Sequence, residues 1–316
     1  MNNELQKEQK YIYTYACRVE ERSLCDLELR TIFQEQPQTT TFVSYIPFDV
    51  SRSPFIRESI DVLVEASSFN ELLEKVTFIP LSTKSFKTIY VRHDELLDQI
   101  DLKERRRIER EVGMNIPGEV HMETPEQYYG IINFGEKWYV GQYHKNDAVW
   151  LKHQNKPNSY STALNTRVAR AVVNIAVPHN TNEKVIDPCC GIGTVLVEGL
   201  SMGINIIGSD RNPLILQGTR ENIAHFGYET EVLYRDIRDV VNQYDVAIID
   251  MPYNLCSVIS PQEQLEMLSC AREFTKRIVI ITIEDIDSII RDAGFTIIDR
   301  CFVKKGRLDR QIIVCK

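Results

Sequence analysis

Three carboxylates close short apolar runs in the second half of this 316-residue chain, and a fourth follows one. Asp187 ends 184–187, Asp210 ends 205–210, Asp250 ends 245–250, and Asp236 follows 231–234. After Asp187 comes Pro188-Cys189-Cys190-Gly191-Ile192-Gly193-Thr194. A Gly-x-Gly turn lets backbone approach a ligand closely, and the helix it opens offers unpaired N–H groups. Such a turn serves either a dinucleotide or S-adenosylmethionine. The dinucleotide fingerprint has a third glycine where this chain has Leu196, and a pyrophosphate would be repelled by Asp187. An acid at that strand end suits the sulfonium and ammonium groups of S-adenosylmethionine. Asp210, 19 residues after Gly191, is placed to accept from two ribose hydroxyls. Asp236 is placed to accept from an adenine amino group, with the Ile237 N–H facing the ring. Asp210 and Asp236 alone each read as readily as a helix cap or a turn residue; three acids at successive strand ends, in order, are much harder to obtain by chance.

The fourth group, Asp250-Met251-Pro252-Tyr253, follows the most apolar run. An exocyclic amine on a base is a poor nucleophile because its lone pair is delocalised into the ring. If the Asp250 carboxylate and the Met251 carbonyl both accept its protons, the nitrogen moves towards sp³ and the lone pair localises. Pro252 restricts Met251 to extended conformations, and Tyr253 can stack on the base. Positioning and electrostatics then provide most of the rate of an in-line methyl transfer. Guanine and adenine are not distinguished by this turn.

These residues need a scaffold that brings strand ends together. Apolar runs at 184–187, 205–210, 231–234, 245–250 and 277–282 alternate with helical stretches, the pattern of a parallel sheet covered on both faces. Runs at 295–301 and 311–315, without a long helix between them, read as an antiparallel hairpin at the sheet edge. The expectation is a seven-strand, Rossmann-like α/β domain over 151–316. Residues 1–150 read as a smaller α+β domain, with strands at 11–17, 40–47, 87–92, 128–134 and 137–142, and helices at 20–34, 70–76 and 97–110. Residues 150–162 read as a polar linker into a helix at 163–177.

Composition narrows the function. With 37 basic and 45 acidic residues the formal charge is −8, which argues against bulk electrostatic coating of nucleic acid. No apolar stretch is long enough to span a bilayer, and the polar N-terminus lacks a signal core, so a cytoplasmic protein is expected. The eight cysteines form no CxxC pair and no zinc-ligand spacing, so free thiols and no metal are expected. A local basic stretch stands out, with Lys137, Lys145, Lys152, Lys156, Arg167 and Arg170 against the single acid Asp147.

The series Asp187-Pro-Cys-Cys-Gly-Ile-Gly-Thr, Asp210, Asp236 and Asp250-Met-Pro-Tyr resembles the class I S-adenosylmethionine-dependent methyltransferases. More narrowly it resembles the THUMP-associated methylases that modify the guanine amino group in tRNA. Residues 164–174 look like that family's helix before the first motif, and 306–314 like its closing hairpin. The resemblance covers about 150–316; a THUMP-like RNA-binding module is implied for the first 150 by position and size. It implies that Asp187, Cys189, Gly191 and Gly193 hold the methionine end of the cofactor, Asp210 the ribose, and Asp236 with Ile237 the adenine. Asp250, Met251, Pro252 and Tyr253 grip the target base. The family usually has Pro where Met251 stands, and its histidine-proline-glycine element is replaced here by Ser159-Tyr160-Ser161-Thr162.

The expected activity is therefore methyl transfer to N2 of a guanosine in tRNA or another structured RNA. Lys152, Lys156, Arg167 and Arg170 are the expected RNA contacts, and an accessory subunit or a homodimer is left open. Two other readings share much of the pattern: an adenine-N6 methyltransferase acting on DNA or ribosomal RNA, and a non-catalytic RNA-binding protein with a drifted methyltransferase fold.

Overall fold

The computed structural model describes residues 8–93, 100–160, 163–254, 257–305 and 308–316. They fall into two compact units. The first comprises residues up to Ala16, with Pro37–Ser51 and Phe55–Asp147; the second comprises Cys17–Gln36, Arg52–Pro54 and Ala148–Lys316. The division near residue 148 lies close to the expected boundary. The assignment of 17–36 and 52–54 to the second unit differs from it.

Numbered in chain order, helix α1 (Arg22–Phe33) belongs to the second unit. The first unit holds strands β1 (Tyr11–Tyr15), β2 (Thr41–Ser44), β3 (Ile56–Ala66), β4 (Phe86–Tyr90), β5 (Gln127–Phe134) and β6 (Lys137–Lys145). Its helices are α2 (Phe69–Val76) and α3 (Leu102–Asn115). The sheet order is β2-β1-β3-β6-β5-β4, antiparallel except for the parallel β4–β5 pair. The β5–β6 hairpin turns through Gly135 and Glu136, at φ 58° and 62°, the left-handed pair that matches the twist of the strands. Leu72, Val76, Ile108 and Val112 of the two helices are buried with Phe86, Ile131 and Val140 of the sheet. The sequence reading passed over β3, the longest strand, and began α3 too early; residues 94–99 lie outside the described residues.

The second unit is built on a seven-strand sheet, as its alternating pattern implied. Its parallel strands are β7 (Lys184–Asp187), β8 (Asn205–Asp210), β9 (Val232–Tyr234), β10 (Val246–Asp250) and β13 (Ile278–Thr282). Strands β14 (Ile297–Lys305) and β15 (Leu308–Cys315) pair antiparallel, with β15 also antiparallel to β13. Between β10 and β13 stands a two-rung ladder of β11 (Tyr253–Asn254) and β12 (Ser257–Val258). The helices are α4 (Thr166–Ala176), α5 (Thr194–Ser201), α6 (Pro213–His225), α7 (Pro261–Phe274) and α8 (Asp287–Asp292). Sheet order β14-β15-β13-β10-β7-β8-β9 puts β7 and β10 side by side at the centre. The chain runs outward from β7 to β9, then returns to the other side of β7. That reversal opens a crevice beyond the ends of β7 and β10, where open α/β sheets bind ligands.

Strands β10 and β13 are buried on both faces, and each buried Ile or Val contributes about 1.5–3 kcal/mol. Helix α4 is buried from Val168 to Ala176 and packs on α1, α5 and the central strands. Helix α1 is fastened by Arg30, whose Nε and Nη2 donate to the Asp299 carboxylate of β14 at 2.6 and 2.8 Å. Among the described residues no helix is long and apolar enough to cross a membrane.

Candidate active site

Asp187, Asp210 and Asp250 end β7, β8 and β10, so parallel pairing delivers all three to one edge of the sheet. Asp236 follows β9 on the same edge and caps a 3-10 turn, Ile237–Asp239. A cleft of about 450 Å³ lies there, lined by Cys189, Gly191, Asp210, Asp236, Ile237, Asp250, Met251 and Pro252. Behind it, a recess of about 30 Å³ is shared by Asp187 and Asp250. The fold thus brings together the carboxylates that sequence spacing singled out.

Local geometry explains the turn after β7. Gly191 sits at φ 51°, a region that L side chains rarely adopt, and its N–H donates to Asp210 Oδ2 at 2.9 Å. Asp210 Oδ1 accepts from the Asn212 N–H, also at 2.9 Å, so this acid fastens two turns as well as facing the cleft. Asp187 Oδ1 accepts from the Cys189 N–H at 3.2 Å. Gly193, at φ 76°, caps α5 and is not among the residues lining the cleft or the recess. Its left-handed backbone forms the turn.

Charge is concentrated in the recess. Asp187 is buried, and burial, then the neighbouring Asp250 and Asp210 carboxylates, push its carboxyl well above the ordinary carboxylate range. Burial likewise raises the Cys189 thiol, which disfavours its thiolate form. Asp236 is held differently: Arg238 donates to both of its oxygens at 2.9 Å and keeps it below the usual range. Met251 is buried and its N–H donates to the Ile281 carbonyl at 2.9 Å, which anchors the turn after Asp250 to β13. The Tyr253 side chain lies outside what the structure describes.

Tyr160 is the main residue that the sequence reading did not assign. It lines both the cleft and the recess, and its hydroxyl lies 2.6 Å from where a Gly191 Cβ would stand. Burial and the carboxylates of Asp250, Asp210 and Asp187 push that hydroxyl up to about 12. Its position just before the helix that resembles the family's own was the available signal. Pro188 of the turn also lines the cleft, as do Arg211, Asn212, Ile215 and Met267, which carried no distinguishing pattern.

One of the four expected RNA contacts is corrected by the structure, and a second is engaged by a neighbouring carboxylate. Arg170 is 2% exposed; its guanidinium donates to Glu198 at 2.7 Å, Ser201 at 2.8 Å and the Arg52 carbonyl at 2.8 Å. Arg167 pairs with Glu21 at 3.1 Å and stacks on Trp150 at 5.3 Å. Burial leaves the Arg170 guanidinium unavailable to a phosphate, while Arg167 is half-buried and engaged with Glu21. Lys152 remains exposed and Lys156 half-buried. Among the described residues, no group of three or more His, Cys, Asp or Glu could hold a metal ion.

Comparison with known proteins bears on this arrangement. Residues 154–287 match the family model UPF0020, described as the RMKL-like methyltransferase domain. The matched stretch contains every residue lining the cleft. Over 138 residues the chain is 31% identical to a tRNA (guanine(10)-N2)-dimethyltransferase of Methanothermobacter thermautotrophicus, covering 43% of this chain and 39% of the relative. A protein of the same name from Methanocaldococcus jannaschii is 20% identical over 268 residues, 78% of this chain and 70% of the relative. The chain therefore spans about two fifths of the length of the first of these relatives. Among solved structures, TrmN from Thermus thermophilus aligns over 97% of this chain and 99% of its own, with 16% identity and a TM-score of 0.48.

Proposed function

We propose that this chain transfers a methyl group from S-adenosylmethionine to the exocyclic N2 of a guanosine in tRNA. The observation that carries the reading is the meeting of Asp187, Asp210 and Asp250 at the crevice where the strand order reverses. The donor set fits the cofactor. Asp187 sits buried among like charges, and a cation placed there would relieve their repulsion, as the sulfonium and ammonium groups do. The missing Cβ at Gly191 leaves room for the Tyr160 hydroxyl, which lies over the turn that Asp210 holds. When bound, the cofactor supplies an electrophilic methyl group.

Asp187, Cys189, Gly191 and Gly193 form the methionine end of the site, Gly193 by shaping the turn. Asp210 takes the ribose hydroxyls on the oxygens that also hold the turn. Asp236 and the Ile237 N–H face the adenine. At the other side, the Asp250 carboxylate and the Met251 carbonyl accept the amine's protons, and Tyr253 stacks on the base. Pro252 limits Met251 to extended conformations, which steadies its carbonyl. The carboxylate also takes up the proton that the nitrogen sheds after transfer. Because the recess lies at the end of a buried sheet, the base leaves its stack to reach it.

The names carried by the relatives favour guanine over adenine as the substrate. We assign the first unit, a THUMP-like module in this reading, to holding structured RNA by shape and phosphate. We place the activity in the cytoplasm, where the seven described cysteines, all free thiols, stay reduced. The test is incubation of the purified chain with labelled S-adenosylmethionine and unmodified tRNA, followed by nucleoside analysis. Labelled N2-methylguanosine is expected. Labelled methyladenosine would replace the substrate, and no label from protein that binds the cofactor would overturn the reading.

A further inference from the structure

Three of the six cations that stood out in sequence are engaged elsewhere. Arg167 and Arg170 are paired internally, and Lys137 pairs with Glu65 at 2.6 Å. Helix α3, Leu102-Lys-Glu-Arg-Arg-Arg-Ile-Glu-Arg-Glu, presents the opposite case. Its carboxylates are occupied by local partners. Asp101 caps the helix by accepting from the Glu104 N–H at 2.8 Å, and Glu104 and Glu111 both hold Arg107. Glu109 accepts from the Tyr90 N–H at 2.9 Å. Lys103, Arg106 and Arg110 are exposed, and among the described residues no carboxylate pairs with them. Steps of three and four residues put them on one helix face, spread along about 10 Å of axis.

That face is concave. A groove of about 670 Å³ runs along it, lined by Lys103, Arg106, Arg107 and Arg110 with Asp101 and Glu104, and Leu102 is its one apolar lining residue. We propose that this groove is the phosphate-binding surface by which the first unit holds structured RNA. The proposal rests on the RNA-methylating reading above. A protein partner is disfavoured because its interface needs an apolar core, and the groove offers a single leucine. Phosphate binding needs no apolar area; its free energy comes from releasing the counterions that Lys103, Arg106 and Arg110 replace. In a chain of net charge −8, such a strip stands out as a place where RNA is attracted rather than repelled.

The experiment measures tRNA affinity of the full chain across a range of salt concentrations. It compares the wild type, the variant K103E/R106E/R110E and the equally charge-shifted control K84E/K276E/K316E, whose lysines are also exposed. The test variant should lose at least about tenfold in affinity, and its slope of log affinity against log salt should flatten by about two. Its S-adenosylmethionine affinity and thermal midpoint should stay at wild-type values. The neutral variant K103Q/R106Q/R110Q should flatten the slope equally, and serves if the charge-reversed protein does not fold. Unchanged tRNA affinity, or equal losses in test and control, would overturn the inference while wild-type methylation of tRNA leaves the function standing. Loss of binding to an acidic protein with tRNA affinity intact would reassign the groove. Wild type that neither binds nor methylates tRNA would overturn both.

Discussion

In the first sheet carboxylates stand against cations and hydroxyls of neighbouring segments. Glu65 of β3 lies between Lys10 and Lys137, whose hydrogen bonds hold it down at about 2, while Asp61 meets His144 and Glu58 accepts from the Tyr143 hydroxyl. In the second sheet Asp187, Asp210 and Asp250 face one another at strand ends, and the burial of Asp187 makes their repulsion count. Topology accounts for the difference. Antiparallel pairing sets neighbouring strands side by side along their length, where opposite charges stabilise cross-strand pairs. Parallel strands all end at the same edge, so acids at those ends are brought near one another. The first arrangement uses charge for local pairing; the second gathers like charge at one sheet edge.

Substitutions can break or sharpen this contrast. The largest effect is expected for Asp250→Ala, which should lower single-turnover methylation by about 10³-fold with cofactor affinity unchanged. Asp210→Asn should do the reverse, weakening cofactor binding while sparing the chemical step at saturation; calorimetric titration beside single-turnover rates separates the two. Arg170→Ala should destabilise the second unit by about 3–5 kcal/mol in urea unfolding, because buried Glu198 loses a charged partner and keeps only His153. If Arg170→Ala were stable and merely lost RNA affinity, the correction made above would itself be wrong.

A further expectation concerns pH. Burial pushes the Glu28 carboxyl from 4.5 up to about 7, against the pull of Ser53 and Asn174. The folded state thus keeps a proton that the unfolded chain gives up, so the stability contributed by Glu28 is full below about 4.5 and falls as pH rises through about 7. The loss is about 3 kcal/mol, and Glu28→Gln should flatten that part of the stability profile. The smallest effect is expected in the first sheet. Glu65→Gln should cost about 1 kcal/mol or less, because its side chain keeps 22% exposure and its partners remain hydrated.

Much of the second unit was legible because its signals are local. An apolar run, a terminal acid and a glycine turn occur within a dozen residues, and parallel topology follows from their repetition. Strand β3 was not legible: Arg57, Glu58, Asp61 and Glu65 interrupt its alternation, since several of its polar side chains have partners on adjacent segments. The fate of Arg170 depends on contacts that sequence does not display. A hint lay in its neighbours, because Val168, Ala169, Ala171, Val172 and Val173 surround it with apolar residues on every side of the helix. Tyr160 was noticed as a departure from the family pattern, but its place over Gly191 comes only from how the chain folds back across the turn.

Helix α1 has one more consequence, for the order of events at the ribosome. Glu28 is made early, yet Asn174, which donates to it at 2.7 Å, lies 146 residues later in the chain. At roughly 5–20 residues per second, the two are separated by on the order of ten seconds of synthesis. During that interval the apolar face of α1 has none of its α4 partners, and the first sheet can close before the second exists. The nascent chain therefore carries an unburied helix ahead of a nearly complete unit, and that helix is the segment a chaperone would meet first.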